Sequence, residues 1–155
     1  MKKHFLLICL LIIGVSSCKK SGASFNAAQQ AVTDENLIKA YISANNITAT
    51  RDPSGVYYQV ITPGTGAYPT ASSTVSVNYT GKLLDGSVFA PTSHLSSPLS
   101  GLIKGWQIGI PYINTGGRIL LMIPSALGYG NSSPGAGIPA NSVLVFTIDL
   151  LSFSN

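Results

Sequence analysis

Charge is scarce in this chain. Of 155 residues only 9% are Asp, Glu, Lys or Arg, and histidine and cysteine occur twice each. So few charges exclude a coiled coil, a solvent-laced single helix and a disordered charged tail. Two cysteines support neither a disulfide scaffold nor a cysteine-rich zinc site. The formal charge of +4 belongs to the start of the chain, where Lys2, Lys3, Lys19 and Lys20 lie. Beyond them Lys39, Arg51, Lys82, Lys104 and Arg118 face Asp34, Glu35, Asp52, Asp85 and Asp149. The body is therefore neutral and offers no basic patch to a nucleic acid.

The common catalytic constellations are missing as well. His4 falls in an apolar leader and His94 in a Ser/Pro stretch, so neither an acid–histidine–nucleophile set nor a metal site can be assembled. Asp85 is explained by its Asp85-Gly86 turn. Gly64-Thr65-Gly66 lacks the lysine and spacing of a phosphate loop. Hydrolysis, phosphoryl transfer and redox chemistry find little support, and no cofactor or metal is expected.

What is present begins with Met1-Lys2-Lys3, an apolar run from Phe5 to Ile13, and Gly14-Val15-Ser16-Ser17-Cys18. A charged start, a short apolar core and small residues mark a secretory signal. The run is shorter than the roughly 20 apolar residues that span a bilayer. Val15-Ser16-Ser17-Cys18 resembles the bacterial lipobox, which implies a Cys18 that is acylated and becomes the mature N-terminus. The expectation is an exported protein held to the cell envelope, at the outer membrane, by lipid on Cys18.

Ser21 to Val32 reads as a flexible tether. Thr33 is placed to cap a helix whose first turn holds Asp34 and Glu35, with Leu37, Ile38, Tyr41 and Ile42 forming one narrow apolar stripe. A helix this short must dock its stripe, on its own domain or in a dimer. After the turn cluster Arg51–Gly55 the chain is β-rich. Strands are expected over Val56–Ile61, Thr74–Thr80, Arg118–Ile123 and Ser142–Leu151, with a hairpin at Asp85-Gly86. Ala90–Gly101 reads as a loop, Leu102–Tyr112 admits only a short helix, and Ser125–Asn141 is a long Gly/Pro loop. The sum is an α+β domain of five or so mostly antiparallel strands around one short helix.

Tyr79, Phe89, Trp106, Tyr129 and Phe146 stand beside these Gly/Pro loops. One reaction needs a dry aromatic pocket and a hydrogen-bond donor but no acid, base or nucleophile: rotation about an Xaa-Pro bond. Its barrier of about 18–20 kcal/mol comes from amide resonance. A dry pocket shaped to the twisted amide lowers that barrier.

At this point the residues resemble the FK506-binding-protein (FKBP) type of peptidyl-prolyl cis–trans isomerase, from about Gly55 onward. The resemblance rests on five ordered segments: Val77-Asn78-Tyr79-Thr80-Gly81, Leu84-Asp85-Gly86-Ser87-Val88-Phe89, Ile103-Lys104-Gly105-Trp106, Gly128-Tyr129-Gly130, and Ile138 through Phe146. It implies a five-stranded antiparallel half-barrel wrapped around a short helix, preceded by one N-terminal helix. The implied division is a signal over 1–17, a lipidated tether and helix over 18–50, and an isomerase domain over 51–155. Trp106 would floor the pocket, with Tyr79, Phe89 and Phe146 as walls. Leu102 would supply an aliphatic contact, Ile103 a main-chain donor and Tyr129 a hydroxyl. The implied partners are proline-containing segments of exported proteins and the family's macrolide ligands.

The departures from the family pattern are specific. Family members usually carry Asp where this chain has Ala90, which lowers the expected catalytic strength more than proline binding. The aromatic expected before Leu102 is replaced by Leu95 at best, and the lip after Tyr129 offers only Pro134, Gly135, Ala136 and Gly137. A proline-binding chaperone or assembly module with little catalysis is therefore the alternative. A glycan-binding surface built on Tyr and Trp is a weaker third reading.

Overall fold

The computed structural model describes residues 25–135 and 137–155, so the lipobox-like stretch with Cys18 lies outside the described residues. One antiparallel sheet organises the rest. Its strands are β1 (Thr50–Arg51), β2 (Tyr57–Thr62), β3 (Thr74–Leu83), β4 (Val88–Pro98), β5 (Arg118–Ile123) and β6 (Leu144–Ser154), in the order β1-β2-β5-β6-β3-β4. The two-residue β1, which runs into the first residue of the expected turn cluster, adds a sixth strand. It forms because Asp52 N–H donates to the Val56 carbonyl (2.8 Å) and Gly55 N–H to the Asp52 carbonyl (2.9 Å), folding the chain back on β2.

Alternation along the strands gives the sheet two apolar faces. Val75 and Val77 of β3, Ile119, Leu121 and Ile123 of β5, and Leu144, Phe146, Ile148 and Leu150 of β6 share the main core. Helix α2 (Lys104–Gly109) lies on that face, with Trp106 buried. It lies close because Gly105 has no side chain; a Cβ there would meet Ile123 Cγ1 at 2.7 Å. Met122, Val143, Val145 and Tyr57 point the other way and form a second cluster around Ile38.

Ile38 belongs to helix α1 (Ala27–Ala44), which docks on its own domain as the stripe allows, although Leu37 is left exposed. The helix starts about two turns before the expected place, capped by Asn26 and not Thr33, so residues 27–32 are helix and not tether. Asn26 is the cap, its Oδ1 accepting from Gln29 N–H (3.0 Å), and the alanines that follow are strong helix formers. Thr33 sits inside the helix, its hydroxyl donating to the Gln29 carbonyl (3.0 Å). Asp34 and Glu35 thus stand beyond the first turn, and both reach out to the domain.

The second correction is β4. The stretch expected as a loop from Ala90 is an edge strand paired with β3 in the register Tyr79↔Ser93 and Gly81↔Ala90. One residue on β3, Thr80, opposes two on β4, Pro91 and Thr92, at that point, a bulge that accommodates Pro91, which has no amide to donate. Ser and Pro are normal on an edge, where one side of the strand stays unpaired. His94 is therefore a strand residue, exposed, with Nδ1 3.2 Å from Asn78 Oδ1.

Candidate active site

The sheet curls around α2 and leaves a cavity of about 370 Å³ between them. Tyr79, Phe89, Ala90, Leu102, Ile103, Trp106, Tyr129 and Phe146 all line it. These eight residues come from β3, β4, β6, α2 and two loops, so only the fold brings them together.

Four aromatic rings form the closed end. Phe146 stands edge-on to Trp106 (centroids 5.2 Å, 90°) and to Phe89 (5.5 Å, 81°), while Tyr79 meets Trp106 edge-on at 5.0 Å. Such T-shaped pairs suit ring quadrupoles and contribute about 0.5–1.5 kcal/mol each beyond burial. The box closes because Gly81, opposite Phe146 on the neighbouring strand, leaves room for both phenylalanines; a Cβ there would meet Phe146 Cε1 at 2.9 Å. The indole N–H of Trp106 is buried with no hydrogen-bond partner among the described residues.

Two loops complete the rim. Ile103 caps α2 and its carbonyl accepts from Trp106 N–H (3.0 Å) and Gln107 N–H (3.2 Å). Its own N–H makes no hydrogen bond among the described residues. Gln107 reaches back, donating from Nε2 to the carbonyls of Leu102 (2.6 Å) and Ser100 (3.1 Å), and so holds the approach to Ile103. On the other side Tyr129 rises from Gly128-Tyr129-Gly130 and is 40% exposed, which puts its hydroxyl at the mouth. Partial burial, then the nearby Tyr79, push the Tyr129 pKa above its ordinary 10.0, so it is a neutral donor at neutral pH.

Three further residues line the cavity: Leu95, Pro134 and Ile138. Leu95 reaches it from β4. Ile138 supplies an aliphatic side to a lip that the sequence makes look bare. Its signal was its place at the head of the Ile138–Phe146 segment, and its burial comes from a return of the loop, Ile138 N–H donating to the Gly135 carbonyl (3.0 Å). Among the described residues no charged side chain lines the cavity, so it can grip an apolar ring and donate hydrogen bonds but cannot shuttle protons.

Comparison with known proteins identifies the family. Residues 66–151 match the family model of the FKBP-type peptidyl-prolyl cis-trans isomerase. The FKBP-type peptidyl-prolyl cis-trans isomerase FkpA of Escherichia coli (strain K12) is 45% identical over 102 residues, 63% of this chain and 37% of that protein. The outer membrane protein MIP of Legionella longbeachae is 38% identical over 141 residues, 86% of this chain and 59% of that protein. This chain therefore spans less than two thirds of either relative. The crystal structure of Escherichia coli FkpA superposes with a TM-score of 0.70 at 36% identity, covering 82% of this chain and 62% of that one. A peptidyl-prolyl cis-trans isomerase from Pseudomonas syringae does so with a TM-score of 0.72 at 28% identity, covering 86% of this chain and all of that one. With more than half of its length matched by the family model, the chain belongs to the FKBP-type peptidyl-prolyl cis-trans isomerase family.

Proposed function

We propose that this chain is a peptidyl-prolyl cis–trans isomerase acting on proline-containing segments of exported proteins. The observation that carries the reading is an uncharged aromatic cavity with one phenolic hydroxyl at its mouth. A proline ring would rest on Trp106 between Tyr79, Phe89 and Phe146. There the Xaa-Pro carbonyl leaves water, which disfavours the charge-separated resonance form that keeps the amide planar. Tyr129 Oη–H and the Ile103 N–H would donate to substrate carbonyls on either side of the ring, and a twisted amide would fit those donors better than a planar one. Leu102 and Ala90 would contact the flanking residues.

The test is isomerase turnover on short Xaa-Pro peptides. Tyr129→Phe should lower kcat/KM about 10-fold or more, the scale of losing one hydrogen bond made in the transition state. Trp106→Ala should abolish proline binding as well. Unchanged turnover in both variants would sink the assignment.

Ala90 favours a second reading, a proline-binding chaperone or assembly module with little catalysis. If that holds, Ala90→Asp raises turnover sharply while peptide affinity changes little. The macrolide ligands of the family would compete for the same cavity under either reading.

The place of action proposed is the cell envelope, with the chain anchored through acylated Cys18. The lipobox-like Val15-Ser16-Ser17-Cys18 supports this, and one relative is named as an outer membrane protein. Mass spectrometry of the membrane fraction should find an acylated N-terminus at Cys18; an intact Met1 would refute the anchor.

A further inference from the structure

Asp34 is a carboxylate with 1% of its surface exposed, on a helix outside the sheet and remote in sequence from every cavity residue. Its Oδ2 accepts two hydrogen bonds from one residue, the Ser125 N–H (2.8 Å) and the Ser125 hydroxyl (2.6 Å). Its Oδ1 accepts from Gln30 Nε2 (2.7 Å), one turn earlier on the same helix. Ser125, itself 2% exposed, opens the short turn that leads to Gly128-Tyr129-Gly130. The Ser125 carbonyl in turn accepts from both Gly128 N–H (3.0 Å) and Gly130 N–H (2.8 Å). Those two amides bracket Tyr129.

The chain of contacts is short and directional. Helix α1 presents a carboxylate, the carboxylate holds both donors of Ser125, and the Ser125 carbonyl holds the amide N–H groups of the two glycines that flank Tyr129. Gly130 takes a positive φ of 64° and Gly128 sits where a Cβ would meet Leu144 Cδ1 at 2.8 Å, so the loop is built to close on that one carbonyl. Hydrogen bonds to an ionised group are shorter and about twice as strong as neutral ones, which suits a fixed anchor. An uncompensated carboxylate at this depth would be costly, so full use of Asp34 by Ser125 and Gln30 is needed for its burial. A serine whose amide and hydroxyl both end on one buried carboxylate has little freedom to tilt its carbonyl.

We infer that Asp34 is a positioning residue for Tyr129: through Ser125 it fixes the loop that presents the phenolic hydroxyl at the cavity mouth, and so couples helix α1 to the site. The turnover part of this inference rests on the isomerase reading; the loop geometry does not.

The experiment measures amide hydrogen exchange and turnover on the full chain, comparing Asp34→Ala with the parent. Exchange at Gly128 and Gly130 should rise about tenfold or more, while that of Ile148 in the sheet stays as it was. Turnover should fall several-fold, and Asp34→Ala should add nothing in a Tyr129→Phe background, where the hydroxyl being positioned is gone. Asp34→Asn keeps an acceptor oxygen toward Ser125 and should restore most of the protection and most of the turnover. Unchanged exchange at both glycines, or an equal loss of turnover in both backgrounds, would overturn the inference. Should Asp34→Ala not fold, Ser125→Ala removes one of the two donors, and the same rise at Gly128 and Gly130 decides the matter. A parent chain with no turnover would refute the isomerase reading, while the exchange data would still answer for Asp34.

Discussion

On the concave face of the sheet Tyr79, Phe89, Trp106 and Phe146 meet through ring edges, with centroids 5.0–6.2 Å apart and no hydrogen bond between them. On the opposite face α1 is held by one fully buried isoleucine and by the two carboxylates next to each other at 34 and 35. Aromatic packing fills volume and tolerates an opening at one side, which is what a ligand cavity needs. Polar ties are directional: they set where a helix lies, and through Ser125 they set where a loop lies. Under the proposed function the concave face would supply affinity for an apolar ring, and the other face would supply aim.

The largest effect should come from the ring shared by three aromatic contacts. Phe146→Ala leaves Tyr79, Phe89 and Trp106 without their common neighbour and should destabilise the domain by about 3–5 kcal/mol. Turnover should be lost even where the protein remains folded. Because Trp106 is the only tryptophan, its fluorescence reports the collapse directly. A Phe146→Ala protein with native fluorescence and turnover would mean that the rings do not act as a unit.

Smaller, and aimed at the other face, is Ile38→Val. One methylene lost from a fully buried site costs about 0.5–1.5 kcal/mol. Denaturant midpoints should fall accordingly while turnover per folded molecule stays at the parent value, because the Asp34–Ser125 contact is intact. If turnover falls with stability, the two faces are coupled through packing and not through Asp34.

Both faces were unequally legible in the sequence, for physical reasons. The alternation of Leu144, Phe146, Ile148 and Leu150 and the Asp85-Gly86 turn are local patterns, and β6 and the β3–β4 hairpin follow from them. The aromatic residues of the cavity were legible because their segments carry a family pattern. The continuation of β4 beyond Phe89 was not, since an edge strand is formed by its neighbour's unpaired amides more than by its own Ser- and Pro-rich composition. The true start of α1 was hidden because Asn26 and the alanines after it look like linker until they are read as cap and helix formers. The Asp34–Ser125 contact joins residues 91 positions apart, and nothing in either local sequence points to the other. Asp34 and Glu35 read as first-turn acids; only the docked helix reveals them as anchors.

The smallest effect isolates Glu35. Its Oε2 accepts from Arg51 Nη2 (3.0 Å), and its Oε1 lies 3.0 Å from Lys39 Nζ and accepts from Tyr57 Oη (2.9 Å). Arg51 first, then Lys39 and Tyr57, lower its pKa from 4.5 to about 2. A carboxyl whose pKa is lower folded than unfolded stabilises fully above the unfolded value and loses that contribution as pH falls through the folded one. The loss should therefore begin near pH 4.5 and be complete near pH 2. Exchange protection of the α1 amides should fade across that window ahead of any change in Trp106 fluorescence, since Trp106 reports the other face. The ties are partly exposed, so added salt should shrink the effect. Glu35→Gln should flatten the acid limb of α1 protection and leave turnover near neutral pH untouched. An unaltered acid limb in that variant would assign the pH dependence to another group and leave Ile38 and Asp34 as the principal holds on α1.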